Sequence, residues 1–444
     1  MTFSLPVSQA GTRTSAVTRS GLAGLTMLDV MLGFILMGPL AVLTVAGRTP
    51  SLYWIDVVIV IFSAFALSRA WAQPTDRTFR LPPAVVWAIV YVLICAASLL
   101  ITQDILVSIA TLKLRTLPIA VFLLASRQIK SRSDIDHFFQ ALAWFGLALA
   151  AISLYNWYKF STGLLVLSDE FGEKDMLQLS FGRSNYLASM FVVLIPPMIA
   201  VIQDRRKKLA FLLHGFALVL VVTALLFTQS RGSLISLTVG LIAWAFLTFS
   251  SAFTARKVFT GLAVVLLLVM TTIFLWDKIP EGVRLGLTAA FGLLWSEAAR
   301  GNLGGGRTEL WVAALQGAWH SSFFGIGLGN QAIFYAQQQM TPSAHSVYLE
   351  TLLETGIVGV IALFGFLYVF GRTLWRLWKE CPPSDRRFVG AMLATFVTAL
   401  VNISQEPSFW GPQYSCLFWM MMGVIYAWRR MNAAARATPA PEVP

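Results

Sequence analysis

Long, almost uncharged apolar runs recur along the chain, and they limit what it can fold into. A helix needs roughly 20 mostly apolar residues to cross the hydrocarbon layer of a bilayer, which is about 30 Å thick. Only 12% of the residues are charged, against about 25% in soluble domains. Every backbone polar group in lipid must be paired internally, so these runs are predicted to be helices. We therefore expect an all-α, polytopic membrane protein.

The runs predict about twelve membrane spans. Their bounds in the sequence are Leu22–Gly47, Leu52–Trp71, Pro83–Ile101, Ile105–Ala125, Phe138–Tyr158, Asn185–Ile202, Leu209–Thr228, Ser233–Phe249, Val258–Trp276, Ser346–Gly371, Phe388–Ser404 and Gln413–Trp428. The first run is far longer than the roughly 7 to 15 apolar residues of a signal-peptide core, so we expect it to remain as an anchor.

The formal net charge of +12 comes from Lys and Arg residues that lie mostly in alternate short loops. By the positive-inside rule these loops are cytoplasmic, which places both termini inside and argues against nucleic acid as a partner. The chain then divides into a cytoplasmic arm (1–21), transmembrane helices 1–9 (22–276), a large outer loop (277–344), transmembrane helices 10–12 (345–430) and a cytoplasmic tail (431–444).

The outer loop at 277–344 is long enough to fold and is the predicted place for a reaction chamber. Apolar pairs at helical spacing, Leu310/Ala314 and Ala313/Gly317, predict short amphipathic helices lying on the membrane surface. A plain structured linker is the alternative interpretation.

Five cationic residues depart from the positive-inside pattern, because this topology places them outside or within the membrane: Lys113, Arg115, Arg183, Arg231 and Arg307. A charge inside an apolar run costs several kcal/mol unless it is paired or hydrated, so such residues are functional candidates. A planar guanidinium suits phosphate oxygens. The alternatives are that Arg231 extends to lipid headgroups and that Ile105–Arg115 is an interfacial helix carrying Lys113 and Arg115.

One histidine differs from the other three because it begins a predicted span at the outer surface. His345 is followed by Ser346, Tyr348, Glu350 and Glu354, and helical spacing places Ser346, Glu350 and Glu354 on one face. An imidazole there can accept a proton from a hydroxyl group near neutral pH. A single interfacial histidine is also often structural, so the spacing alone leaves both roles open.

A sequence motif connects these residues to a known family. His345-Ser346 is followed, after nine residues, by Gly356-Ile357-Val358-Gly359. Together with Ser230-Arg231-Gly232, Gly306-Arg307 and the segment Gly325-Ile326-Gly327-Leu328-Gly329, this resembles the region shared by O-antigen ligases and O-antigen polymerases. The histidine motif favours the ligases. The resemblance covers roughly residues 180 to 360, and the rest agrees in topology and length only.

The resemblance implies a GT-C-like fold and a glycosyltransferase of the bacterial inner membrane with a periplasmic active site. Its implied donor is a glycan on undecaprenyl pyrophosphate, its acceptor is lipid A-core, and its surroundings are membrane lipids. The reaction would invert the anomeric centre and use neither metal nor cofactor. The implied catalytic residues are His345, Arg231 and Arg307, and the implied substrate-binding residues are Arg183, Lys113, Arg115, Ser346, Tyr348 and Glu350.

Three other functions remain open at this stage. An O-antigen polymerase would share the architecture and the cationic residues. A protein O-oligosaccharyltransferase would transfer to a protein hydroxyl, and a secondary transporter would be expected to show two similar halves, which the sequence does not show. A divalent metal site at Asp169, Glu170, Glu173 and Asp175 is less favoured than a solvated acidic loop.

Overall fold

The computed structural model describes residues 26–37, 41–45, 48–72, 81–162, 184–203, 208–249, 307–321, 323–340 and 343–437. Within these residues the elements are α1 Met27–Leu36, β1 Ala41–Val45, β2 Arg48–Tyr53, α2 Trp54–Ala72, α3 Pro83–Ala97, α4 Ile105–Gln128, α5 Arg132–Ser161, α6 Ser184–Ile202, α7 Lys208–Phe227, α8 Arg231–Phe249, α9 Thr308–His320, α10 Gln331–Gln337, α11 Val347–Glu380, α12 Arg386–Asn402 and α13 Pro412–Ala437. Short 3-10 helices occupy Ser98–Ile101 and Pro407–Trp410.

Five of the described helical stretches are long and apolar enough to cross a membrane: Pro83–Ile101, Ile105–Gln128, Arg132–Lys159, Ser184–Ile202 and Val347–Glu380. Shorter apolar helices occupy Met27–Leu36, Trp54–Ser68, Phe211–Phe227 and Arg231–Leu247. The expectation of a helical, multi-pass membrane protein is confirmed. The number of spans and their orientation stay predictions, and predicted span nine (258–276) lies outside the described residues.

The first predicted span, Leu22–Gly47, is wrong in its second half. Helix α1 ends at Leu36, and Ala41–Val45 instead forms an antiparallel hairpin with Arg48–Tyr53. In the sequence Gly38 and Pro39 follow the helix, and both residue types disfavour its continuation. The β-branched residues beyond them suit a strand, and apolar content alone does not distinguish a short strand from a helix.

The C-terminal helices form the centre of the bundle. Helix α13 packs on α4, α12 packs between α6 and α8, and α11 packs on α3. Stacked aromatic rings join these elements, with centroids 5.4 Å apart for Tyr91 and Trp410 and 4.7 Å apart for Phe366 and Trp419. The ends of α6, α8, α11 and α12 are thereby held close together, and the candidate site lies there.

Helix α11 consists of two helical segments that meet at Gly356. The apolar run at Ser346–Gly371 predicts one straight helix, which does not include this kink. Gly356 has φ 66° and ψ −167°, a conformation that L residues with a side chain rarely adopt, and a Cβ there would overlap the carbonyl oxygen of Phe323. The carbonyl of Leu353 accepts from the N–H of Ile326 at 2.9 Å, and that of Glu354 accepts from Gly327 at 3.1 Å. The glycine-rich loop thus satisfies carbonyls that the kink removes from the helix.

Candidate functional site

A buried carboxylate, Glu406, lies where several helix ends meet. Its side chain is 2% exposed. Its Oε1 accepts hydrogen bonds from Asn185 Nδ2 at 2.9 Å and from Arg307 Nη2 at 2.7 Å, and its Oε2 lies 3.9 Å from His345 Nδ1. Two of the residues predicted to be catalytic are therefore brought to one carboxylate.

The local sequence explains the position of Glu406. Helix α12 ends at Asn402, whose carbonyl accepts the N–H groups of both Gln405 and Glu406 at 2.9 Å. Pro407 then begins the 3-10 helix, and Glu406 is extended, with φ −140° and ψ 135°. A residue before proline is restricted to this region because the proline ring clashes with the α conformation. The segment Gln405–Glu406 is therefore a defined turn between α12 and α13.

Arg307 immediately precedes α9 and contacts this turn twice. Its Nη1 donates to the carbonyl oxygen of Gln405 and its Nη2 donates to Glu406. The side chain remains 24% exposed, and a guanidinium carries five N–H donors. Arg307 is thus fixed by the protein and still has donors that can reach an anion from the solvent side.

His345 is held in an unusual backbone conformation. Its φ of 52° lies in the left-handed region, which costs a non-glycine residue on the order of 1 to 3 kcal/mol and is found most often at functional sites. Its N–H donates to Ser343 Oγ at 3.0 Å, and the carbonyl of Ala344 accepts from Trp311 Nε1 at 2.9 Å. These contacts fix the backbone that carries the imidazole at the edge of the site, where the side chain is 17% exposed.

Arg231 begins α8 beside the same turn. The next residue, Gly232, packs so closely on Gln405 that a Cβ would lie 2.6 Å from the Gln405 side-chain oxygen. Asn402 Nδ2 donates to Ser233 Oγ at 3.1 Å, which ties the start of α8 to the end of α12. The chain turns at residues 228–230, where Gln229 has a φ of 53°, so Arg231, Gly232 and Ser233 already belong to α8. All three residues predicted to be catalytic therefore flank Gln405 and Glu406.

The residues Ser346, Tyr348 and Glu350, which are predicted to bind substrate, lie at the start of α11 and contact other parts of the protein. Ser346 is buried and precedes α11, Tyr348 donates its hydroxyl to the carbonyl of Leu400 at 3.0 Å, and Glu350 accepts from Ser343 Oγ at 2.6 Å. These contacts hold the first turn of α11 and the segment that carries His345. Direct contact of these three residues with substrate stays a prediction, and Arg183 lies outside the described residues.

Lys113 and Arg115 pair with different carboxylates. Both lie on α4, which is one continuous helix from Ile105 to Gln128 rather than an interfacial segment that ends at Arg115. Lys113 pairs with Asp56. Arg115 is 4% exposed, lies 3.6 Å from Glu354 and stacks 4.1 Å from the Trp410 ring centroid. Arg115 therefore braces the 3-10 helix that follows Glu406.

Sequence reasoning missed Glu406, Gln405 and Asn185. A signal for Glu406 existed, because Gln405-Glu406-Pro407 follows a predicted span at the same outer face as the anomalous cations. A buried guanidinium needs an anionic partner, so acidic residues at that face were the ones to search for. Asn185 begins a predicted span, and nothing in its position distinguished it.

The three residues predicted to be catalytic lie in a stretch of the chain that matches a known family. A family model described as O-antigen ligase matches residues 216–364 of the chain. This stretch is similar to the O-antigen ligase family. The match confirms the resemblance on which the sequence analysis relied, and it includes Arg231, Arg307 and His345. Glu406 and Asn185 lie outside the matched residues, so only the structure connects them to the site.

One solved chain is similar to this protein with a TM-score of 0.41 and 18% identity, and the match covers 79% of this chain and 97% of that chain. Its structure is described as "Structural coordination of polymerization and crosslinking by a peptidoglycan synthase complex". No curated protein sequence matches.

Proposed function

We propose that the protein is an O-antigen ligase, which transfers a preassembled polysaccharide from undecaprenyl pyrophosphate to a sugar of lipid A-core. The proposal includes twelve spans with both termini inside and a site at the periplasmic face of a bacterial inner membrane. Its main support is the convergence of Arg307 and His345 on buried Glu406, beside the helix start that carries Arg231. These three residues fall within the family stretch.

The two arginines suit the departure of a pyrophosphate. Negative charge builds on the bridging oxygen as its bond to the anomeric carbon breaks, so fixed cations there stabilise the transition state more than the ground state. Arg307 is held in place by Glu406 and Gln405, which limits the reorganisation needed during the reaction. A planar guanidinium can also bind two phosphate oxygens at once.

The imidazole suits the acceptor side of the same reaction. The acceptor hydroxyl oxygen attacks the anomeric carbon, its proton passes to His345, and the carbon–oxygen bond to the pyrophosphate breaks with its electron pair leaving on the phosphate oxygen. Direct attack from the opposite face inverts the anomeric centre. Glu406 Oε2 lies 3.9 Å from His345 Nδ1, which is close enough for its charge to stabilise the positive charge that the imidazole acquires.

We expect transfer to proceed without a metal ion, because arginine side chains supply the positive charge that a divalent ion supplies in other sugar transferases. Purified protein with lipid-linked donor and core acceptor should keep its full rate after exhaustive treatment with EDTA. A loss of activity that added magnesium restores would contradict this mechanism.

The surface lipopolysaccharide of the host tests the function directly. Deletion of the gene, and His345→Ala expressed at the same membrane level, should both leave core-lipid A without polysaccharide while the finished polymer accumulates on its lipid carrier. The wild-type gene restores the polymer-bearing form and serves as the control. Core that carries a single repeat unit would identify a polymerase instead, and unchanged lipopolysaccharide would exclude both functions.

A further inference from the structure

A cavity lies in the stretch 307–340, away from the Glu406 site. It is a groove of about 500 Å³ between α9 and α10. The described residues that line it are Gln316, Gly317, His320, Ser321, Ile326, Phe334 and Gln338. Nothing in the reaction proposed above uses this groove.

The lining chemistry indicates a neutral, hydroxyl-rich ligand. Two primary amides, Gln316 and Gln338, offer both donors and acceptors, Ser321 adds a hydroxyl, and Phe334 adds an aromatic face. Among the described lining residues there is no Lys, Arg, Asp or Glu, and His320 is the one that can carry a positive charge, so a phosphate or an ammonium group would lack a permanent opposite charge. A sugar ring fits this lining, because its hydroxyl groups pair with amides while its C–H face packs on an aromatic ring.

The groove is built by rigid contacts. The missing side chain of Gly317 lets α9 approach Phe334, whose Cζ would lie 2.5 Å from a Cβ at that position. The hydroxyl of Tyr335 donates to the carbonyl of Leu310 at 3.2 Å, which ties α10 to α9. Ile326, on the groove wall, is fixed by its N–H bond to Leu353. A preformed groove avoids much of the entropic cost of ordering a binding site.

The distance from the Glu406 site limits which sugar can occupy the groove. Helix α9 starts next to Arg307 and ends at His320, and its thirteen residues span about 20 Å at 1.5 Å per residue. A sugar in the groove is therefore several units away from the anomeric carbon held near Arg307. We propose that the groove binds neutral sugar units of a glycan chain whose reacting end lies at the Glu406 site, an inference that rests on the proposed function.

The test uses the full-length protein with two lipid-linked donors, one carrying a single repeat unit and one carrying the long polymer. The variant Gln316→Ala/Gln338→Ala removes both amides from side chains that are exposed, so the fold should remain intact. The matched control is Gln337→Ala, since Gln337 is an exposed neighbour on α10 that does not line the groove. If the groove holds the donor glycan, the double variant should raise KM for the long donor about tenfold, as expected for two lost hydrogen bonds. KM for the single-repeat donor and kcat for both donors should not change.

A second arm distinguishes donor from acceptor. If the groove holds sugar units of the acceptor core, the double variant should raise KM for lipid A-core and leave both donor values unchanged, which also supports a sugar-binding groove. The proposed sugar-binding groove would be overturned by unchanged KM values for all substrates, or by an equal rise in KM in the control Gln337→Ala.

Direct binding separates this proposal from the proposed function. Oligosaccharides released from the host's surface polysaccharide should bind the wild type and Gln337→Ala, and binding to the double variant should be about tenfold weaker. If the wild type transferred neither donor, the ligase function would fail while this measurement still decided the groove. Absence of oligosaccharide binding by the wild type would then overturn the groove.

Discussion

Arg307→Ala and Arg231→Ala are each expected to reduce glycan transfer by about a thousandfold, the upper range for loss of one fixed group that stabilises transition-state charge. The loss should appear in kcat more than in KM, because the arginines bind the departing pyrophosphate more tightly as its charge grows. Steady-state kinetics with purified protein measure the effect, and the amount of protein in the membrane should stay at the wild-type level.

The controls for this prediction separate charge from geometry. Arg307→Lys keeps a positive charge but loses the planar fork, so it should recover only part of the rate. Arg436→Ala removes an arginine that is 54% exposed and pairs with Glu380 at the far end of the bundle, and it should keep full activity. Normal transfer by Arg307→Ala would show that Arg307 does not act in the reaction. Normal transfer by Arg231→Ala would show the same for Arg231.

The cationic residues of the candidate site have a clear signal in the sequence, whereas its acidic residue, Glu406, has only a weak one. Arg231 and Arg307 stand out because they violate the positive-inside rule, and His345 stands out by its place at the start of a predicted span. Glu406 carries a weaker signal, its position after a predicted span at the predicted outer face, because an acidic residue in such a loop is ordinary. Its importance follows from burial and from a contact with Asn185, which lies 221 positions away in the sequence.

The kink in α11 gives a physical reason for part of the sequence motif. The nine residues between Ser346 and Gly356 form the first segment of α11. The motif spacing therefore sets the number of helical residues between His345, the proposed general base, and the kink. Gly356 is required because its φ is positive and Phe323 lies against it. The pattern alone does not reveal this, because the apolar run continues through the kink as it would through a straight helix.

The sequence marks Lys113 and Arg115 as unusual charges but does not identify their partners. Both charges are costly in an apolar helix and therefore do have partners. The sequence does not indicate that those partners are Asp56 and Glu354. Residues two positions apart point about 200° apart around a helix, so the two cations diverge. For Arg115, the contact with Trp410 favours a positioning role.

Glu406→Gln is expected to lower transfer by about a hundredfold, as for loss of one positioned polar group in an active site. The amide keeps the shape of the side chain, and its oxygen can still accept from Asn185 or Arg307, so the helix ends should stay together. It loses the negative charge that fixes Arg307 and faces His345. Glu309→Gln is the matched control, because Glu309 is exposed on α9 only two residues from Arg307.

A double-mutant cycle with His345→Ala tests whether Glu406 acts through the imidazole. If Glu406 acts mainly by stabilising the positive charge on that imidazole, the loss of Glu406 should matter little once the imidazole is gone. The double variant should then be about as slow as His345→Ala alone. Independent roles would instead multiply the two rate losses, which would limit Glu406 to fixing Arg307. Full activity of Glu406→Gln, at an unchanged level of folded protein, would show that convergence on this carboxylate is not what organises the site.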